Sequence, residues 1–335
     1  MPLDLNQPLQ PVNPGGHPIK IPPVVIRPER KWFHDKLRAL GGAPGKQVGD
    51  IETVGNGFRL RYDNGAALYA DAQGNVTFVY GAIGARYDAL GGPSSWLGFP
   101  TSDEQDMSEG GRANTFEHGT IYFWPDTGAI ECAGVIVHYT GLICFGETDF
   151  NGFRGGDYPY GVLGVLDATT HHALRTQIYQ DVNGGNHIPD LLEIYRGQPV
   201  GLRLSVQLVQ HGQAGDSADR IKAEMGKGLA QAAQWVDKEI GSIPVIGPPL
   251  AVVFEPCLEA LAPIVANGLA DLLGLADVSL GDDEITLTAK QMVVLAARTA
   301  NSVSGPIGYK VQTKLMSRRG ASYKLCFGMV PMAGS

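Results

Sequence analysis

Leu90-Gly91-Gly92-Pro93-Ser94-Ser95-Trp96-Leu97-Gly98-Phe99-Pro100-Thr101, continued by Glu104, Phe116, Gly119, Ile121-Tyr122-Phe123-Trp124 and Gly128-Ala129, is the stretch that organises the chain. Glycine, proline and aromatic residues alternate here as tight turns between short, aromatic-bearing strands require. Paired glycines let the backbone reverse at positive φ, and the flanking Leu, Phe, Tyr and Trp supply apolar surface for the strands to bury. Working outward, Ala39-Leu40-Gly41-Gly42 repeats as Ala89-Leu90-Gly91-Gly92, and Val48-Gly49 stands where Leu97-Gly98 stands. Farther on, Gly65-Ala66-Ala67-Leu68-Tyr69 answers Gly119-Thr120-Ile121-Tyr122. A fixed spacing of roughly fifty residues marks an internal duplication. Gly134-Val135-Ile136-Val137-His138-Tyr139 echoes the stretch from Gly81 to Tyr87, which predicts the opening of a third unit there.

The order Leu-Gly-Gly-Pro, Leu-Gly-Phe-Pro-Thr, an acidic residue, then Phe-x-x-Gly-x-Ile-Tyr resembles the LGFP repeat, a module of bacterial secreted and cell-envelope proteins. The resemblance covers residues 31–134 as two units, 31–80 and 81–134. It implies recognition of a cell-wall or cell-surface glycan by a protein of the envelope or the exterior. Trp96 and Trp124 are the aromatic faces expected to stack on sugar rings, with Asp103, Glu104, Arg112 and Asn114 bonding hydroxyls. Phe99, Phe116 and Tyr122 are assigned to the small core of the module, which has little else to bury.

At 335 residues the chain accommodates more than one core. Its net charge of −8 argues against a nucleic-acid partner, which needs a basic field, and against simple adhesion to anionic lipid unless a bound cation reverses the local sign. Cys132, Cys144, Cys257 and Cys326 show no metal-type spacing. They read as free thiols, with a Cys144–Cys326 pair as the alternative. Residues 1–30 lack the basic start and apolar run of a secretory signal. They are rich in proline and read as an extended arm that can lie along a domain or join subunits; export then implies either a leader removed from this sequence or another route.

From Ala133 the pattern changes to longer alternating runs. Eight strands are expected, near 133–145, 158–167, 171–180, 190–196, 200–210, 284–290, 307–316 and 321–330. The predicted fold is therefore mainly β: a short-stranded repeat domain, then an eight-stranded antiparallel β-sandwich over 135–335 carrying a helical insertion at 216–276. Ile221, Met225, Leu229, Ala232, Val236 and Ile240 fall at helical spacing in the first half of that insertion. Leu250, Val253, Phe254, Leu258, Leu261, Ile264, Leu269 and Leu272 make the second half unusually apolar. Glu255, Pro256, Glu259, Pro263 and Asp271 interrupt it, so it is not a ready-made spanning helix. Packing against the sandwich is one reading, and a hairpin that opens at a membrane is the other.

Connections from odd to even strands of such a sandwich emerge at one end. They carry Asp149, Asp157, Asp181, Asp190, Asp216, Asp282 and Asp283. That arrangement resembles the calcium-dependent lipid-binding (C-two type) sandwich, and calcium is the cofactor it implies, since that ion takes six to eight oxygens from flexible loops. Turn and helix-cap chemistry is the competing use of these aspartates.

Catalytic signatures are sparse. There is no G-x-S-x-G elbow and no H-E-x-x-H helix. His187 beside Asp181 and Asp190, with His171 and His172, is the nearest approach to an acid–base group. The sequence thus points first to a non-catalytic surface-binding protein whose repeat binds glycan and whose sandwich engages a membrane or protein partner, with a membrane-active toxin or effector as its extreme form. A hydrolase or acyltransferase with an appended targeting module is the second reading, and a component of a larger assembly the third.

Overall fold

Pro28 sits at the first helical position, where its missing N–H costs nothing, and opens α1 (Pro28–Ala39). The strands that follow, β1 (Gln47–Val54), β2 (Gly57–Tyr62), β3 (Ala67–Ala70) and β4 (Val76–Val79), form an antiparallel meander in that order. The same plan then recurs: α2 (Gly81–Leu90) leads into a second meander of β5 (Gln105–Asp106), β6 (Arg112–Phe116), β7 (Gly119–Trp124) and β8 (Gly128–Cys132). In the computed structural model, which describes residues 27–148, 156–212, 217–240, 248–260, 278–300 and 310–334, the duplicated glycines do the same backbone work in both copies. Gly41 and Gly42 take φ of 80° and 139°, Gly91 and Gly92 take 108° and 59°, and Gly49 and Gly98 take 74° and 70°. Other residues enter that region only with strain, so glycine marks these turns in both units.

The units stack in layers. One face of the first sheet packs Leu60, Tyr62, Leu68 and Ala70 with Phe33 of α1. Its other face sends Ala67, Tyr69 and Val79 toward Ile83 and Tyr87 of α2. Being covered on both sides, β3 is buried at every position. The second sheet repeats this, with Phe116 and Ile121 toward α2 and Ala113, Tyr122 and Trp124 in the large core of the remaining chain.

That remaining chain is two further antiparallel sheets. In one, β11 (His171–Arg175), β10 (Pro159–Leu166), β13 (Leu202–Gln210) and β14 (Val278–Leu287) lie side by side. In the other, β12 (His187–Gly197), β9 (Val135–Gly146), β17 (Ala321–Pro331) and β15 (Lys310–Gln312) do so, with β16 (Met316–Arg318) also on β17. Val137, Tyr139 and Leu142 of one sheet and Leu163, Val165 and Val206 of the other belong to one apolar cluster. Among the described residues nine strands are present where eight were expected, because Lys310–Gln312 and Met316–Arg318 are separate short strands where one run was expected at 307–316. Helix α3 (Ser217–Ile240) lies on the outer face of β10, where Gly164 leaves room for Met225 and Leu229. Helix α4 (Pro248–Ala260) packs on α3, and α5 (Ala289–Ala300) fits between β8 and β17.

Three expectations are corrected. Gly134 to Tyr139 do not open a third unit: Val135–Gly146 pairs with β12 and β17 along its length, and that pairing overrides the local echo of α2. The outer side of the second sheet is covered instead by α5, where Lys290 reaches Glu109 at 3.3 Å and Asp126 at 3.0 Å. The strand expected at 284–290 ends at Leu287, since Thr288 and Gln291 form a capping box that starts α5: each side chain accepts the other's backbone N–H, at 2.9 and 3.3 Å. The repeat is also not purely short-stranded, because each unit begins with a helix. All four cysteines are free, and Cys144 faces Tyr323 across the ladder while Cys326 faces Gly141.

Candidate functional site

Trp124 cannot meet a sugar. Its ring is fully buried, its Nε1–H bonds the Ser108 carbonyl at 3.0 Å, and Gly111 has no side chain because the indole occupies that space. The expectation of an exposed contact fails because a tryptophan is the largest filler available for the junction between the second sheet and the rest of the molecule.

The polar candidates are drawn mostly into the seam between units. Asp103 accepts the Phe78 N–H at 2.8 Å and meets Lys36 Nζ at 2.5 Å. Asn114 is completely buried, and its amide N–H2 bonds the Ser102 carbonyl at 3.0 Å and the Phe78 carbonyl at 3.4 Å. Glu104 takes the Tyr80 hydroxyl at 2.7 Å and lies 3.4 Å from Arg112, which also pairs with Asp106. Burial and the Glu104 carboxylate push the Tyr80 phenol up to about 12. These groups tie one copy of the repeat to the other.

Trp96 is different. It is half-buried and stands on the wall of a cavity of about 380 Å3, lined also by Arg86, Glu131, Cys132, Val293 and Gly334. Arg86 from α2 and Glu131 from β8 form a two-pronged pair, Nε to Oε2 at 2.6 Å and Nη2 to Oε1 at 2.5 Å. Burial works to raise the Glu131 carboxyl, but the guanidinium overrides it and holds the group below its usual range. Cys132 gives its S–H to the Gly134 carbonyl at 3.2 Å, and burial pushes the thiol up to about 11, so it is a packing group rather than a nucleophile. The cavity therefore offers one aromatic face beside a fixed pair of opposite charges. Arg86, Glu131 and the α5 side of this site escaped the sequence reading, because they come from three elements distant in the chain.

The acidic set has several separate uses. Among the described residues, the first and second of the odd-to-even connections touch where Asp157 N–H bonds Val182 O at 2.8 Å, and His211, just after β13, bonds Tyr158 O through its N–H at 3.0 Å. Yet Asp157 is buried and takes the Tyr323 hydroxyl at 2.6 Å and the Thr148 N–H at 3.0 Å. Asp181 accepts the Gly156 N–H at 3.2 Å, and Asp190 accepts the Tyr179 hydroxyl at 2.6 Å. Asp282 and Asp283 lie within β14, opposite Gln207 and Val206, and Asp283 bonds the Lys314 N–H at 2.7 Å. Asp149 and Asp216 lie outside the described residues. Among those described, no three His, Cys, Asp or Glu side chains come together as a metal set. His171, His172 and His187 are exposed, and His172 Nε2 lies 2.9 Å from the Ile194 carbonyl.

The described part of the apolar hairpin faces inward. Phe254 and Leu258 are buried with α3 residues, and Leu250 and Val253 pack beside them. Arg203, itself buried, donates to the Leu258 carbonyl at 2.6 Å and pairs with Glu284, which fixes the end of α4 on the sheet. Leu261, Ile264, Leu269 and Leu272 lie outside the described residues. No helix among the described residues is long and apolar enough to cross a membrane.

No curated protein matches the chain. A family model of the LGFP repeat matches residues 97–139, from the first residue of Leu97-Gly98-Phe99-Pro100 through β8 and into β9. LGFP repeats occur in cell-surface proteins, so the second unit is similar to a cell-surface or envelope-associated binding module.

Proposed function

We propose that this protein is a non-catalytic envelope protein that binds a saccharide in the cavity beside Trp96. The observation that carries the reading is the pairing of that half-buried indole with the Arg86–Glu131 ion pair; Glu131 lies within the residues that match the LGFP repeat, and Trp96 immediately precedes them. Sugars present apolar C–H faces ringed by hydroxyls. An indole meets the first and a fixed guanidinium–carboxylate pair the second. Concave sites with one apolar wall and a few placed polar groups are the usual form of a small-ligand pocket. A guanidinium at the wall also suits a sugar that carries a carboxylate.

The test is binding of purified wall polysaccharides and peptidoglycan fragments to the full chain by calorimetry. Trp96→Ala and Arg86→Ala should each weaken binding about tenfold or more, as loss of a stacking or charge-assisted contact of roughly 1.5–3 kcal/mol does. Trp124→Phe leaves the cavity untouched and should change affinity little at a temperature where the variant stays folded. Binding that persists unaltered in Trp96→Ala would remove this site from the account.

A further inference from the structure

The segment after β17 lies on the very ring that the proposed saccharide needs. Met332 N–H bonds the Gly134 carbonyl at 2.8 Å, and its sulfur packs against Gly134, where a Cβ would come within 2.6 Å. Two residues on, Gly334 rests against the Trp96 indole so closely that a Cβ would run into ring carbons Cδ2, Cε3 and Cζ3, the last at 2.9 Å. Gly119 at the start of β7 abuts another part of the ring, where a Cβ would fall 2.9 Å from Cη2 and from Cζ3. Gly119 belongs to the sheet and is fixed by its pairing with Phe116. Gly334 belongs to no sheet or helix, and both it and Ala333 are exposed. One contact with the indole is therefore built into the fold, and the other rests on a strand-free segment whose nearest backbone anchor is Met332.

We propose that residues 332–334 are a displaceable strap that occupies the Trp96 face until a saccharide replaces it. The inference rests on the Trp96 reading above and adds a regulatory element to the same site. A site that is open for only a fraction of the time binds more weakly by that fraction, so whatever lifts the strap raises the apparent affinity. Glycine at position 334 is what lets the backbone lie flat on the ring. Its φ is not in the left-handed region, so a larger residue there acts through space alone.

The experiment uses the full chain with Gly334→Val and Met332→Ala as strap variants and Ala333→Val as control. The Trp96 indole N–H resonance, identified by its loss in Trp96→Phe, is followed for broadening by a soluble paramagnetic agent, and glycan affinity is measured in parallel. Gly334→Val should make the Trp96 signal more accessible and tighten binding about five- to tenfold, while Ala333→Val should do neither. An indole no more accessible in Gly334→Val and Met332→Ala than in the parent overturns the strap, as does greater accessibility with unchanged affinity. If Trp96→Ala abolishes binding in that case, the saccharide site stands without its strap. If neither the parent nor Gly334→Val binds any wall polymer, the site reading fails and the strap loses its role with it.

Discussion

After the shared left-handed glycine, the second unit places Phe99 and the first places Asp50. Phe99 is buried and packs into the first unit, over the β1–β2 hairpin, where a Cβ on Gly57 would lie 2.7 Å from its Cε1. Asp50 is exposed and lies 3.5 Å from Arg30, itself exposed. Two units with one plan thus differ at the residue that docks a unit on its predecessor. An aromatic ring there makes a stacking contact, and a carboxylate makes a solvated end face. The largest expected effect follows from this contrast. Phe99→Ala should cost about 3–5 kcal/mol in denaturant unfolding, as emptying an aromatic core site does. Asp50→Ala should stay within about 0.5 kcal/mol, because an exposed ion pair is worth little. Equal losses would mean that the ring is not the joint between units.

How much of this was legible in the sequence depends on whether the signal is local. The positive-φ glycines, the meander strands and α3 announce themselves within a few residues, through turn chemistry or helical spacing. Helix α5 also carried a local sign, Thr288-x-x-Gln291, which strand propensity in the preceding Ile285-Thr286-Leu287 obscured. Gly134 to Tyr139 carried two signals at once, the alternation of the strand expected near 133–145 and the echo of Gly81 to Tyr87, and pairing with β12 and β17 on both sides decides for the strand. The site divided in the same way. Trp96 could be singled out as a tryptophan in a turn-rich module, and so could Trp124, but which of them is buried depends on what packs over the second sheet. The side chains named as sugar contacts sit in or beside the seam, since Asp103 and Asn114 both bond the Phe78 backbone. A clue to Trp124 was present in Gly110-Gly111, where the second glycine makes way for the indole.

The close approach at Gly57 gives the next effect. Gly57→Ala forces a methyl group into the Ala70 carbonyl and against Phe99, and overpacking of this kind costs about 1–3 kcal/mol. The second unit has its own close approach, Gly111 beneath Trp124, but there the ring comes from the same unit. The two therefore separate by rescue. Phe99→Leu, with its shorter side chain, should recover part of the loss in Gly57→Ala and none of the loss in Gly111→Ala, as residues in contact couple and distant ones add. Melting curves of the three single and two double variants decide it, and rescue of both glycine variants by Phe99→Leu would break the assignment of Phe99 to the joint.

The smallest effect is acidic, and it too divides the units. Glu52 is held below its usual range by hydrogen bonds from Arg59 and then Arg61, both on neighbouring β2. Glu131 is held low against its own burial by Arg86, which brings β8 to α2. A carboxyl whose folded value is depressed adds stability above the unfolded value, about 4.3 for Glu, and loses it as pH falls through the folded value. Each pair therefore helps at neutral pH, begins to lose that help as pH falls past about 4.3, and has lost it once pH is below the depressed folded value. Glu52→Gln and Glu131→Gln should each unfold slightly more easily than the parent at pH 7, with the gap closing toward pH 2. The locations of the two losses should differ. Amide exchange should quicken in α2 for Glu131→Gln, since its partner is on that helix, and in β1 and β2 for Glu52→Gln. Faster exchange in α2 for both variants would mean that Arg86 and Glu131 do no more to fix the second unit than the pair in the first.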